Sequence, residues 1–199
     1  MEALWCKRFS NEIMYQSPFI NALNGIISFR SFDLNLDLGL IHHWVNLDYA
    51  RTFWQMRGSE GLLRSCYQCI QQNPYSHSFM GLLNSQPLCQ FDVYKVAVDE
   101  LAGHISYSEN DCGFHLLMSP ITTAGNVVHG LTNALIHHFL CFYLSQPETG
   151  SMFAEPDAEN LKSIRLLEKA GFERIKSIKM SYKNAELFQL TKNKFLCRP

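Results

Sequence analysis

A histidine and two carboxylates stand where neighbouring strands of an α/β sheet would bring them together. In the segment GFHLLMS, Gly113, His115 and Leu117 alternate onto one face, and in SMFAEPD, Phe153, Glu155 and Asp157 do the same. Both sets fall near the C-terminal ends of their strands, where open α/β sheets usually hold ligands. A neutral imidazole held by a carboxylate is a general base near pH 7, so the spacing suits removal of a proton from a nucleophile. The same residues also read as structure alone, with His115 a satisfied core histidine and Asp157 a cap on the next helix through the N–H of Asn160.

Between the two strands lies a loop, Gly125 to Gly130, that enters a long apolar helix, LTNALIHHFLCFYL. A helix N-terminus offers unpaired N–H groups and a partial positive charge, which is what a pyrophosphate requires. No Walker lysine or G-x-G-x-x-G accompanies the loop, so an ordinary turn is the competing reading. The seven cysteines are an odd, scattered set, expected to be reduced thiols. Cys66-x-x-Cys69 lacks a second pair at zinc-site distance, and Leu62, Leu63, Cys66 and Ile70 fit one helical face, so core filling is expected there and no metal.

Other elements must carry these groups. Ile26 to Phe32 alternates as a strand, and Asp37 offers an N-cap to a helix with Leu40, Ile41, Trp44 and Val45 on one side. Helical spacing continues around Ala50, Phe53 and Trp54, then from Ser59 to Gln72 before Asn73-Pro74. Ser78 to Val98 reads as a hairpin with its turn at Ser85-Gln86-Pro87. Cys89, Phe91 and Val93 share one face of the second strand, while Gln90, Asp92 and Tyr94 form a polar face suited to bordering a cleft. A helix ends at Gly171, and an antiparallel pair turns around Lys183-Asn184. The expected architecture is a mixed α/β sheet with helices on its faces.

Composition narrows the function. With 199 residues, 47% apolar and 18% charged, the chain is expected to form one domain, 1–199, around its own core. A net charge of -1 provides no field for nucleic acid. No stretch reaches the length of a membrane span and the first residues lack a signal-like pattern, so a cytoplasmic location is expected.

Five segments in order, LIHHWVNLDYARTFW, DCGFHLLMSP, VVHGLTNAL, AEPDAENLKSIRLLEKAGF and YKNAELFQLTKNKF, resemble the siderophore-biosynthesis N-acyltransferases of the GNAT superfamily. Those enzymes serve the aerobactin, alcaligin, rhizobactin, desferrioxamine and mycobactin pathways. The likeness runs from about Ile26 to Phe195 and leaves residues 1–25 as a peripheral segment. It implies the GNAT fold, a mixed and mostly antiparallel sheet flanked by helices. It further implies acylation of a hydroxylated amine (hydroxyputrescine, hydroxycadaverine or N6-hydroxylysine) by acetyl-CoA or succinyl-CoA, with other siderophore-pathway enzymes as possible partners.

By this resemblance His115 and Asp157 are the catalytic pair, and the loop entering the central helix, Val128, His129, Gly130, Leu131 and Thr132, seats the pyrophosphate. Asn160 lies near the pantetheine or acyl group, and backbone N–H groups beside Leu117 receive the oxyanion. His42, Trp44 and Trp54 line the acceptor pocket, although Trp44 and Trp54 read equally well as core, and Phe53 is read as core. Asp92, Tyr94 and Glu155 border the acceptor, Asp92 or Glu155 receiving a distal ammonium. Two departures stand out: Leu167 occupies the place where many GNAT enzymes carry a tyrosine acid, and HGLT replaces the basic Q/R-x-x-G-x-G/A loop. The rival readings are an aminoglycoside-type N-acetyltransferase and, in another class, a non-catalytic acyl-CoA-binding or docking module.

Overall fold

A computed structural model of the chain describes residues 12–120 and 130–197. Eight strands form a mixed, mostly antiparallel sheet, accompanied by six helices. Contacts divide the chain into two compact units, Met1–Asp92 with Leu116–Leu135, and Val93–His115 with Ile136–Pro199.

The first unit carries β1 (Ile13–Gln16), β2 (Ile27–Ser31), β3 (Ser76–Leu83) and β4 (Gln86–Lys95) as far as Asp92. Strands β1 and β2, and β2 and β3, pair antiparallel, so part of the segment expected to be peripheral joins the sheet through β1. All five residues of β2 are buried, including Arg30, whose guanidinium meets both carboxylate oxygens of Asp37 at 2.7 Å. That pairing, chiefly its hydrogen bonds, raises the Arg30 pKa further. Asp37 therefore sits inside helix α1 (Leu34–Val45) and is not its cap; Asp33 is the cap, accepting from the N–H groups of Asn35 and Leu36.

Helix α2 (Asp48–Arg51) is a single turn, and α3 (Glu60–Gln72) starts at Ser59 as its sequence indicates. Leu38, Ile41, Trp44 and Val45 of α1 meet Leu63 and Tyr67 of α3 in a core shared with Phe32, Met80, Leu82 and Leu117. Tyr67 stacks on Phe32 at 4.4 Å. The buried stripe of α3 runs Leu63, Tyr67, Ile70; Leu62 and Cys69 are exposed and Cys66 half-buried, so the Cys-x-x-Cys spacing is not core filler. Phe53 is exposed as well, because α2 ends before it. The β3–β4 turn is Asn84-Ser85, both at positive φ, one residue earlier than expected; such two-residue turns follow the strand twist.

In the second unit, β5 (Cys112–Met118, as far as His115) runs parallel to β6 (Met152–Ala154), with helix α4 (Leu131–Leu144) in the crossover between them. Strand β6 pairs antiparallel with β8 (Asn184–Leu190), which pairs antiparallel with β7 (Glu173–Lys179). Helix α4 is buried over most of its turns, Ile136, Phe139, Leu140, Phe142, Tyr143 and Leu144 being covered, and Phe114 lies against both Phe139 and Phe172. Helix α5 (Leu161–Ala170) is capped by Asn160 and ends at Gly171, whose φ of 94° and N–H bond to Leu167 O close it as the sequence predicts. A short helix, α6 (Lys192–Leu196), follows β8. Val96, Leu101, Phe153, Ile178, Met180, Ala185 and Leu187 form the core beneath the β7–β8 pair.

Candidate active site

Register places the central pair. Strands β5 and β6 run parallel with Gly113 opposite Phe153, so two residues on, His115 draws level with Glu155 just past the end of β6. His115 Nδ1 lies 3.5 Å from Glu155 Oε1. The carboxylate is fully buried while the imidazole is 38% exposed.

Three further side chains fix Glu155. Tyr94 donates its hydroxyl proton to Oε2 at 2.8 Å, and its ring stacks on His115 at a centroid distance of 5.2 Å. Burial, and then the charge of Glu155, push the Tyr94 phenol well above its ordinary range, so it remains a donor. Lys183, in the turn between β7 and β8, bonds the Glu155 carbonyl and holds its ammonium 3.6 Å from Oε1. Oε1 itself accepts no hydrogen bond among the described residues. Half-buried Asp99 accepts from Leu101 N at 2.8 Å; burial pushes its carboxyl up, Glu155 adds to this and His115 opposes it.

Gly113 makes the stacking possible. A Cβ there would overlap Tyr94 Cζ and Oη, so only glycine lets the Tyr94 ring lie against β5.

Asp157 is engaged elsewhere: its Oδ1 accepts from Glu159 N at 2.8 Å, its carbonyl accepts from Asn160 N at 2.9 Å, and its backbone bridges to Ala185. The strand β6 ends at Ala154, so the alternation that placed Asp157 on the His115 face stops short of it. Asn160 caps α5 by accepting from Ser163 N.

The residues expected to bind acyl-CoA divide in two. Val128 and His129 lie outside the described residues. Gly130 has a φ of 84°, its carbonyl accepts the first α4 bond from Ala134 N, and a Cβ there would meet nothing within 4 Å. Leu131 and Thr132 open the helix, and first-turn N–H groups have no acceptor within their own helix, an arrangement that fits a pyrophosphate. Leu117 is buried in the core of the first unit.

Of the expected acceptor residues, Trp44 is fully buried and Trp54 packs against the same core. His42 Nε2 is 2.9 Å from Gly58 O. Asp92 belongs to a network in which Ser78 Oγ and Gln90 Nε2 donate to Oδ1, and Tyr67 donates to Gln90. The polar face of β4 is thus bound internally, Gln90 being fully buried.

Sequence reasoning passed over Gly113, Asp99 and Lys183. A glycine inside a strand pattern signals close approach of another group and could have revealed Gly113. A lysine in a turn carries no sequence mark of burial.

Residues 33–180 match the family described as acetyltransferase (GNAT) domain. A provisionally named lysine N-acyltransferase of Schizosaccharomyces pombe is 29% identical over 178 residues, covering 89% of this chain and 53% of that protein. The N(6)-hydroxylysine O-acetyltransferase of Escherichia coli is 25% identical over 171 residues, covering 85% and 53%. The chain thus spans about half the length of these curated relatives. Among solved structures, aminoglycoside acetyltransferase AAC(6')-Ib in complex with coenzyme A superimposes with a TM-score of 0.75 at 20% identity, covering 85% of this chain and 97% of that one. With a match running from residue 33 to residue 180, the chain belongs to the acetyltransferase (GNAT) domain family.

Proposed function

We propose that the chain transfers an acyl group from acyl-CoA to an N-hydroxylated amine, giving a hydroxamate. The observation that carries this reading is His115, partly exposed and turned by its Nδ1 toward a buried carboxylate. Family membership supports a CoA thioester as donor, and the E. coli relative, named for N6-hydroxylysine, supports a hydroxylated acceptor.

In the proposed reaction the acceptor nitrogen attacks the thioester carbonyl carbon and its proton passes to His115 Nε2. The tetrahedral intermediate collapses by breaking the C–S bond, and the CoA thiolate leaves and takes up a proton. Glu155 and Tyr94 orient the ring and stabilise the imidazolium as it forms. Alkylhydroxylamines are far less basic than alkylamines and arrive neutral near pH 7, so His115 removes a proton only as charge develops and positioning carries much of the rate. With Leu167 buried in the place of the usual tyrosine, the site has less provision for protons and suits such a nucleophile. Gly130, Leu131 and Thr132 would hold the pyrophosphate, while Asp157 is left to the turn ahead of α5, its Oδ1 accepting from Glu159 N.

Replacing His115 by Ala tests the assignment. Turnover should fall about 10²- to 10⁴-fold with acyl-CoA affinity nearly unchanged. Near-normal turnover in a variant with a normal melting profile would remove His115 from the chemistry.

A further inference from the structure

We infer that Lys183 is a positioning residue for the His115–Glu155 pair, its ammonium a fixed counter-charge for the buried carboxylate that His115 Nδ1 also faces. The inference rests on the acyl-transfer reading for its catalytic meaning, but its physical content is independent of any substrate.

Glu155 Oε1 is buried, accepts no hydrogen bond among the described residues, and stands between two nitrogens at nearly equal distance, His115 Nδ1 at 3.5 Å and Lys183 Nζ at 3.6 Å. A buried carboxylate needs a counter-charge, and among the described residues His115 and Lys183 stand beside it to provide one. Lys183 is held by the Glu155 carbonyl and is 14% exposed, so its ammonium is fixed beside the carboxylate instead of wandering in solvent.

The other titratable groups around the pair favour this placement. Tyr94 of β4 gives Glu155 a neutral hydrogen bond. Asp99, after β4, is pushed up first by burial, and the charge of Glu155 adds to this. Tyr182, whose ring lies 5.2 Å from the Lys183 ammonium, is pushed up first by burial and then by Glu155, Asp99 and Glu100. Glu100 is itself engaged by the N–H and hydroxyl of Ser181. Among these groups Lys183 carries the positive charge that offsets the carboxylates.

Removing that ammonium should make the pair take up a proton at higher pH, whichever member carries it, because the pair then has one compensating charge fewer. The test is the pH titration of the His115 ring followed by NMR, its signal identified by its absence from His115→Ala. In Lys183→Met the titration midpoint should move up by about one pH unit, the direction expected when a cation that shares the same carboxylate is lost. Lys183→Arg, which keeps the charge, should stay close to the natural protein. If the Met variant does not fold, Lys183→Gln carries the same expectation. A midpoint unchanged or lowered in the folded neutral variant overturns the inference. The two ideas fail separately: full turnover in His115→Ala would reject the acyl-transfer mechanism and leave the titration result standing.

Discussion

The ring of Tyr94 lies so close over Gly113 that a single added methyl group on the glycine would overlap it. Tyr94 in turn stacks on His115 and donates to Glu155, so one missing side chain on β5 permits the contact that orients two functional groups. Gly113→Ala should displace Tyr94 and lower kcat about 10- to 100-fold, the usual consequence of moving a positioned group by about an ångström. Paired with Tyr94→Phe, which removes only the hydroxyl, steady-state kinetics would separate ring placement from hydrogen bonding. Unchanged kcat in a folded Gly113→Ala would mean that Tyr94 does not hold the site.

Glu155 and Asp157 are two residues apart and make different contacts. Glu155 faces His115, whereas Asp157 accepts a backbone N–H from Glu159 in a turn that asparagine can also form. Glu155→Gln should therefore lower turnover about 10²- to 10⁴-fold, as when the carboxylate behind a catalytic histidine is neutralised. Asp157→Asn should stay within about fivefold of the natural protein, its turn being preserved. If Asp157→Asn proves as damaging as Glu155→Gln, Asp157 shares in the chemistry.

The Arg30–Asp37 pair joins β2 to α1 inside the first unit, both side chains being almost fully buried. Asp37→Ala would leave a buried guanidinium uncompensated and should cost about 3–5 kcal/mol in urea unfolding. Replacing both residues by apolar ones of similar size should cost clearly less than the sum of the single changes. Additive losses would show that the two charges do not act as a pair.

Much of this arrangement was legible from residue order. Periodicity gave α3 from Ser59 to Gln72, the two strands on either side of α4, and α5 with its Gly171 stop, because each is set by local signals. Parity along β5 and β6 brought His115 to a carboxylate. It did not separate Glu155 from Asp157, since strand alternation has no meaning once the strand ends at Ala154. Asp37 was read as a cap because an aspartate ahead of an apolar stripe suits that role; its tertiary partner Arg30 decided otherwise. Lys183 was invisible for the same reason, its burial depending on a residue 28 positions away.

The central claim is that a hydroxylated amine is the acceptor. At pH 7 a plain alkylammonium presents only roughly one molecule in 10³ as the free amine, a burden that an alkylhydroxylamine does not share. A site that also bonds the hydroxyl would reject an acceptor lacking it. The direct measurement is kcat/KM by thiol release from acetyl-CoA and from succinyl-CoA, with N-hydroxycadaverine, N-hydroxyputrescine and N6-hydroxylysine each set against its unhydroxylated parent. At least one hydroxylated acceptor should exceed its parent by about 100-fold or more, with a hydroxamate as product by mass spectrometry. Equal or higher efficiency on the parents, or on an aminoglycoside, would contradict the account.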